Sequence, residues 1–259
     1  VPPSRTPWEQ GFPDVVIHTT VRERDAHPDY AAAKRGDGGA ALRISEDLLA
    51  AESVERLRLF GELSSGAPIL LPITALETTG FNAIPDAMAR VLSRSLGWAI
   101  SSGEIVQSNK VGHTRAKAFN RFVTPASFVG AVAPGAAYVL VDDHVGLGGT
   151  LANLRGHVET SGGRVVGMTT LTESRDGRRL ALRHETRDML WKHHGIGLDT
   201  LWREQFGHGL DCLTDVEGTI LCREPSLDAI RDRLAQASVE ARRRGLDPVF
   251  RGEGRGLSG

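Results

Sequence analysis

The sequence predicts an α/β protein built on a parallel sheet flanked by helices. Three observations predict it: apolar runs of strand length at residues 68–72, 138–141 and 164–171, helical patterns between them, and glycines where those helices should stop. Strand, helix and strand recurring in this way call for crossover connections, which lay helices on both faces of the sheet. A length of 259 residues is enough to bury a sizeable core.

In chain order, residues 1–13 are rich in proline and polar groups and read as an arm or loop, with Trp8 and Phe12 as anchors. Val15, Val16 and Ile17 form a short apolar run within residues 14–20, compatible with a strand. Residues 30–63 look mainly helical, broken at Gly36-Asp37-Gly38-Gly39 and then carrying Leu42, Leu48, Leu49, Val54, Leu57 and Leu59 among charges. A buried strand at 68–72 leads into a polar loop at 74–81. Pro85 suits the first turn of the next helix, whose Ile84, Met88, Val91 and Leu92 recur at helical spacing before Gly97. Residues 98–100 open another strand. Residues 108–119 lack a sustained apolar pattern and carry Lys110, His113, Arg115 and Lys117; a long polar segment between core elements is usually functional or mobile.

After the strand at 138–141, Leu151, Leu154 and Val158 mark a helix face closed by Gly162-Gly163, and 164–171 is a third strand. Residues 183–205 read as helical with an interruption around Gly195 and Gly197. A last helix starts near Ser226, turns Leu227, Ile230 and Leu234 inward and ends at Arg242-Arg243-Arg244 before Gly245. Cations in a last turn suit the helix dipole, a better account of that run than a nucleic-acid patch. The Gly-rich tail from Arg251 is expected to be disordered.

A formal net charge of −1 provides no global basic field, so tight non-specific binding of nucleic acid is not expected. Cys212 and Cys222 make neither a disulfide framework nor a zinc spacing, and read as reduced thiols of a cytoplasmic protein. No apolar run approaches a membrane span, and Val1-Pro2-Pro3-Ser4-Arg5 does not open a signal peptide. His193, His194, His208, Asp211 and Cys212 lack a ligand spacing and are assigned to packing or exposure. His18, Arg22, Arg24 and His27 precede the core and could reach an active site from the hood, with a solvated polar segment as the safer assumption.

The chemistry concentrates in Val139-Leu140-Val141-Asp142-Asp143-His144-Val145-Gly146-Leu147-Gly148-Gly149-Thr150. An apolar strand delivers two carboxylates to its carboxyl end, where open α/β sheets bind ligands. A Gly-rich turn then enters a helix whose first amides have no intrahelical partner, a site for an anion. Carboxylates accept from vicinal hydroxyls while the amides hold a phosphate, a pattern complementary to a 5-phosphoribosyl group. A dinucleotide or adenosylmethionine loop fits less well, since such a fingerprint puts its first Gly directly after the strand without an acid pair.

This stretch resembles the signature of the type I phosphoribosyltransferases: four hydrophobic residues, two acids, two hydrophobic residues, then Thr-Thr-Gly-x-Thr. Gly146 and Leu147 stand in place of the hydroxyl pair, and His144 in place of an apolar residue. The resemblance covers roughly residues 68–171 and implies a phosphoribosyltransferase-like core at 68–175. An N-terminal arm and helical hood segment (1–67), a C-terminal completion and helical extension (176–250) and a disordered tail (251–259) would surround it. It implies that Asp142 and Asp143, with Lys110 and Arg115, are catalytic, and that Val145, Gly146, Leu147, Gly148, Gly149 and Thr150 hold the phosphate. Thr74, Ala75, Leu76 and Glu77 would form a pyrophosphate loop, with Gln107 and His113 in a loop that closes over the substrate. The implied activity is phosphoribosyl transfer between 5-phosphoribosyl 1-diphosphate and a nitrogenous base in nucleotide metabolism. Mg²⁺ would accompany the diphosphate, reached by Asp142 and Asp143 through its water, and the expected assembly is a homodimer. The alternative is a non-catalytic module that senses the same ligand.

Overall fold

Four parallel strands make the central sheet, in the order β1 (Val16–Ile17), β8 (Arg164–Glu173), β7 (Ala137–Val145) and β2 (Ile69–Pro72). The structure is a computed structural model and describes residues 2–64, 66–74, 76–77, 80–101, 103–109, 111, 118–174 and 176–251, with backbone alone at 76, 77 and 80. The chain runs through β1 (Val16–Ile17), α1 (Val21–Ala26), α2 (Tyr30–Ala33), α3 (Gly38–Leu48), α4 (Ala51–Glu62), β2 (Ile69–Pro72), β3 (Leu76–Glu77), β4 (Gly80–Phe81) and α5 (Ile84–Leu96). It continues through β5 (Ile105–Gln107), α6 (Ala118–Val123), β6 (Phe128–Gly130), β7 (Ala137–Val145), α7 (Gly149–Thr160) and β8 (Arg164–Glu173). The helices α8 (His184–Phe206), α9 (Asp215–Cys222) and α10 (Leu227–Arg243) complete it.

The apolar run at 138–141 becomes the centre of the sheet because it is buried on both sides, as parallel strands are. Val139 and Val141 pack with Ile44, Leu57, Ile84, Met88 and Leu92 of α3, α4 and α5. Tyr138 and Leu140 pack with Leu151, Leu154 and Val158 of α7. The expected helices on both faces are therefore present. Pro85 lies in the first turn of α5, and Gly97 closes it in the left-handed region at φ 74°. A third cluster joins Trp202, Leu198, Leu221, Ile230 and Leu234 of α8, α9 and α10 to Phe119 and Phe122 of α6.

Three elements differ from the expectation. The run at 98–100 makes one parallel bridge, Ile100 to Leu70, and leaves the sheet at Ser101, whose hydroxyl donates to Glu104 Oε2 at 2.5 Å. Strand β7 does not stop at the acid pair: it pairs with β8 as far as Val145 opposite Glu173, so Asp142 and Asp143 lie within the ladder and the loop begins at Gly146. The interruption in α8 is confined to Gly195 (φ 56°, ψ −155°). The antiparallel pair β5 and β6 was not anticipated, and neither was α6, which occupies the end of the segment read as patternless.

The arm at the N-terminus is tied down by partners distant in sequence. The Trp8 indole donates to Leu213 O at 2.8 Å and meets the Phe12 ring edge-on at 5.1 Å. The Arg155 guanidinium lies over both rings and donates to the carbonyls of Thr6 and Pro7 at 3.1 Å. The arm crosses α7 at Gly156, where a Cβ would fall 2.1 Å from Ser4 O. Only glycine allows that crossing.

Candidate functional site

A cavity of about 470 Å³ opens at the carboxyl end of β7. Asp142, Asp143 and the whole turn from Val145 to Thr150 line it, so the acids and the Gly-rich loop predicted to work together face one space. Gly148 adopts φ 80° and caps α7; a Cβ there would collide with Leu180 Cδ2 at 2.2 Å, so both backbone and packing demand glycine. The loop is held from outside by the Thr214 hydroxyl, which donates to Leu147 O at 2.5 Å. Among the described residues, no protein acceptor takes the backbone N–H of Gly146, Leu147, Gly148, Gly149 or Thr150. Open amides at the head of a twelve-residue helix are the physical basis of an anion site.

The two acids sit in different electrostatic surroundings. Adjacent residues of a strand leave on opposite faces. Asp143 leaves toward α2, where Lys34 Nζ reaches its Oδ2 at 3.1 Å. Burial alone would push the Asp143 pKa up, but the Lys34 charge and hydrogen bond outweigh it and hold the carboxyl below its ordinary value. Asp142 moves the other way: burial first, then the neighbouring Asp143 charge, raise it well above the usual carboxylate range. The Asp143 N–H donates to Asp142 Oδ1 at 2.8 Å. The two carboxyls are therefore pushed in opposite directions from their ordinary value, Asp142 up and Asp143 down.

Cations from separate parts of the chain complete the walls. Arg24, from the segment assigned to solvent, is 8% exposed; its guanidinium donates to Thr172 Oγ1 at 2.8 Å and lies over the Tyr30 ring. His18, of the same segment, is 7% exposed, with Nε2 2.9 Å from Thr169 Oγ1. Both correct that assignment: β1 pairs with β8 and α1 packs against β8, so His18 and Arg24 are taken out of water. Arg5 enters from the arm, donating to Asn153 Oδ1 at 2.6 Å and to both oxygens of Glu217 at 2.6 and 2.9 Å, beside Gly149. Arg121 enters from α6 beside Gly146. His144 bridges Thr172 and Ser174, each at 2.9 Å; burial and then the Arg24 charge keep it neutral, with its pKa lowered.

Of the other expected site residues, Thr74 follows β2, and its carbonyl accepts from Gln107 N at 3.0 Å. Leu76 and Glu77 form β3, and Ala75 lies outside the described residues. Gln107 ends β5 and lines the cavity, so it belongs to regular structure at the base of the expected closing loop. Lys110, His113 and Arg115 lie outside the described residues. Sequence reasoning missed Arg5, Lys34, Arg121 and Glu217. One signal was available: Thr214-Asp215-Val216-Glu217 spells a capping box, which the structure forms at the head of α9.

No family model matches the chain. Protein TraN of Escherichia coli is 38% identical over 237 residues, which is 92% of this chain and 52% of that protein. An uncharacterized protein of Haemophilus influenzae (strain ATCC 51907 / DSM 11121 / KW20 / Rd) is 35% identical over 155 residues, 60% of this chain and 34% of that one. The chain thus spans about half the length, or less, of these curated relatives. Among solved structures, adenine phosphoribosyltransferase from Leishmania tarentolae matches 57% of this chain and 76% of its own at 17% identity and a TM-score of 0.31. UMP synthase from Leishmania donovani matches 73% and 36% at 15% identity and a TM-score of 0.28. Scores this low carry no argument; the fold rests on the sheet and its flanking helices. Among the described residues, no helix is long and apolar enough to cross a membrane.

Proposed function

We propose that this cavity binds 5-phosphoribosyl 1-diphosphate or a nucleoside 5′-phosphate, and that the protein transfers the phosphoribosyl group to or from a nitrogenous base. One observation supports this above all: an acid pair and a turn of open amides line the same 470 Å³ space. In this reading the 5-phosphate sits against residues 146–150, and the ribose hydroxyls meet Asp142 and Asp143. A nitrogen of the base would form its bond to the anomeric carbon as the bond to the diphosphate oxygen breaks, releasing pyrophosphate. The transition state is oxocarbenium-like, as in glycoside chemistry. The chain's part is to place the partners and to balance charge, with Arg24 and Lys34 near the acids. Thr74, Ala75, Leu76 and Glu77 are proposed to meet the diphosphate, and Lys110, His113 and Arg115 to close over it.

Magnesium is expected to travel with the diphosphate. Asp142 and Asp143 fit poorly as a dedicated ligand pair, because burial raises the Asp142 pKa and Asp143 already faces Lys34. Among the described residues, no group of three or more His, Cys, Asp or Glu side chains is placed to hold a metal.

A second reading has its own support. With Lys34 already facing Asp143 and no hydroxyl pair at Gly146 and Leu147, the site is better suited to holding a ligand than to stabilising a cationic sugar. It would then be a sensing module. Incubation with phosphoribosyl diphosphate, Mg²⁺ and a panel of bases separates the two: pyrophosphate release is expected from an enzyme and not from a sensor. For either, calorimetric titration should show ribose-phosphate binding lost in Asp142→Asn/Asp143→Asn; unchanged affinity in that folded double variant would refute the site.

A further inference from the structure

The departure at Gly146 has a structural cause. Its φ lies outside the left-handed region, so the backbone does not require glycine there. Space is tight instead: an ideal Cβ at 146 would lie 3.0 Å from Nη1 of Arg121, so the guanidinium would have to give by a few tenths of an ångström. The guanidinium occupies the volume that a side chain at this position would fill. Arg121 is presented from a packed element, since Phe119, Phe122 and Val123 of α6 are buried and Phe122 meets Trp202 edge-on at 5.4 Å. The same guanidinium faces the cavity that the amides of residues 146–150 face.

Resting on the reading that this cavity takes a phosphorylated ribose, we propose that Arg121 is the phosphate's side-chain donor, in place of the hydroxyls absent at Gly146 and Leu147. A planar guanidinium offers two parallel donors to a phosphate and keeps its charge at every working pH. A hydroxyl pair and an arginine are thus alternative solutions to one need, and the sequence has exchanged one for the other.

Calorimetric titration with ribose 5-phosphate tests the exchange, with unphosphorylated ribose as the control that Arg121 should not affect. Arg121→Ala should bind about tenfold to hundredfold more weakly, and Arg121→Lys should fall between it and the wild type. Gly146→Thr should also weaken binding, because its side chain displaces the guanidinium. Gly146→Thr/Arg121→Ala should bind more tightly than Arg121→Ala alone, the hydroxyl now having room. The proposal is overturned if Arg121→Ala binds within twofold of wild type, if Gly146→Thr binds more tightly than wild type, or if the double variant gains nothing. Should Arg121→Ala not fold, Arg121→Lys and Gly146→Thr decide the question alone. A wild-type protein that binds no ribose 5-phosphate removes the parent reading as well; wild-type binding indifferent to Arg121 removes only this one.

Discussion

Lys34 and Asp143 show how one distant side chain sets the character of the site. Their contact at 3.1 Å spans 109 positions in sequence and leaves Asp143 only 7% exposed. Removing the cation strands a buried carboxylate, so Lys34→Met should cost about 3–5 kcal/mol at neutral pH. The sign of its pH dependence follows. Asp143 has a lowered folded pKa, so the stability it contributes is present above the ordinary carboxylate value and is lost as pH falls through the folded value. In Lys34→Met a protonated Asp143 no longer needs a cation, and the deficit should shrink as pH approaches 4. Urea midpoints at pH 7 and pH 4.5 check this; a constant deficit would mean that the pair is not the cause. Nothing in the local sequence announced Lys34, because no periodicity or motif links residue 34 to residue 143.

At the scale of elements, long periodic segments were legible and short ones were not. The α5 and α7 faces could be read from Met88 and Leu92 and from Leu151, Leu154 and Val158, and the structure buries all of them. By contrast, β5 and β6 have three residues each and α6 has six, too few for a period to repeat. Their existence depends on partners: β5 on β6 across twenty-odd residues, and α6 on α10. The arm is a similar case, its anchors Trp8 and Phe12 readable but not its path. That path makes a prediction. Gly156→Ala would place a methyl 2.1 Å from Ser4 O and 2.7 Å from Arg5 Cα, backbone atoms that cannot rotate away. The arm should lift, the Arg5–Glu217 pair should break, and trypsin should cut after Arg5 markedly faster than in wild type. Equal cleavage rates, with circular dichroism unchanged, would show that the crossing tolerates a side chain.

Over the whole molecule, the apolar patterns identify the strands but not their neighbours. The order β1-β8-β7-β2 joins the first strand of the chain to the last, a pairing that no local pattern encodes. The acid pair and glycine turn were readable because they are contiguous; the cations at positions 5, 34 and 121 were not, because only the fold assembles them. The fold also carries a global acid sensitivity. Burial lowers the His18 pKa from 6.5 to about 4. The neutral form is the one the folded protein accommodates, so this contribution is full above about 6.5 and is lost as pH falls from there toward 4. On that shift it amounts to about 3 kcal/mol. His208 acts in the same direction, through burial and then the Arg5 charge. Urea midpoints between pH 7 and 4.5 should fall in wild type and fall less in His18→Gln.

The crossing of the arm over α7 has a temporal consequence. Arg5 and Trp8 leave a ribosome well before the groups that receive them, since Asn153, Leu213 and Glu217 follow 148 to 212 positions later. Until those positions emerge the arm has nowhere to settle, and closing so long a loop carries an entropic cost before any contact rewards it. The wall beside Gly149 therefore cannot take shape before Glu217 has emerged.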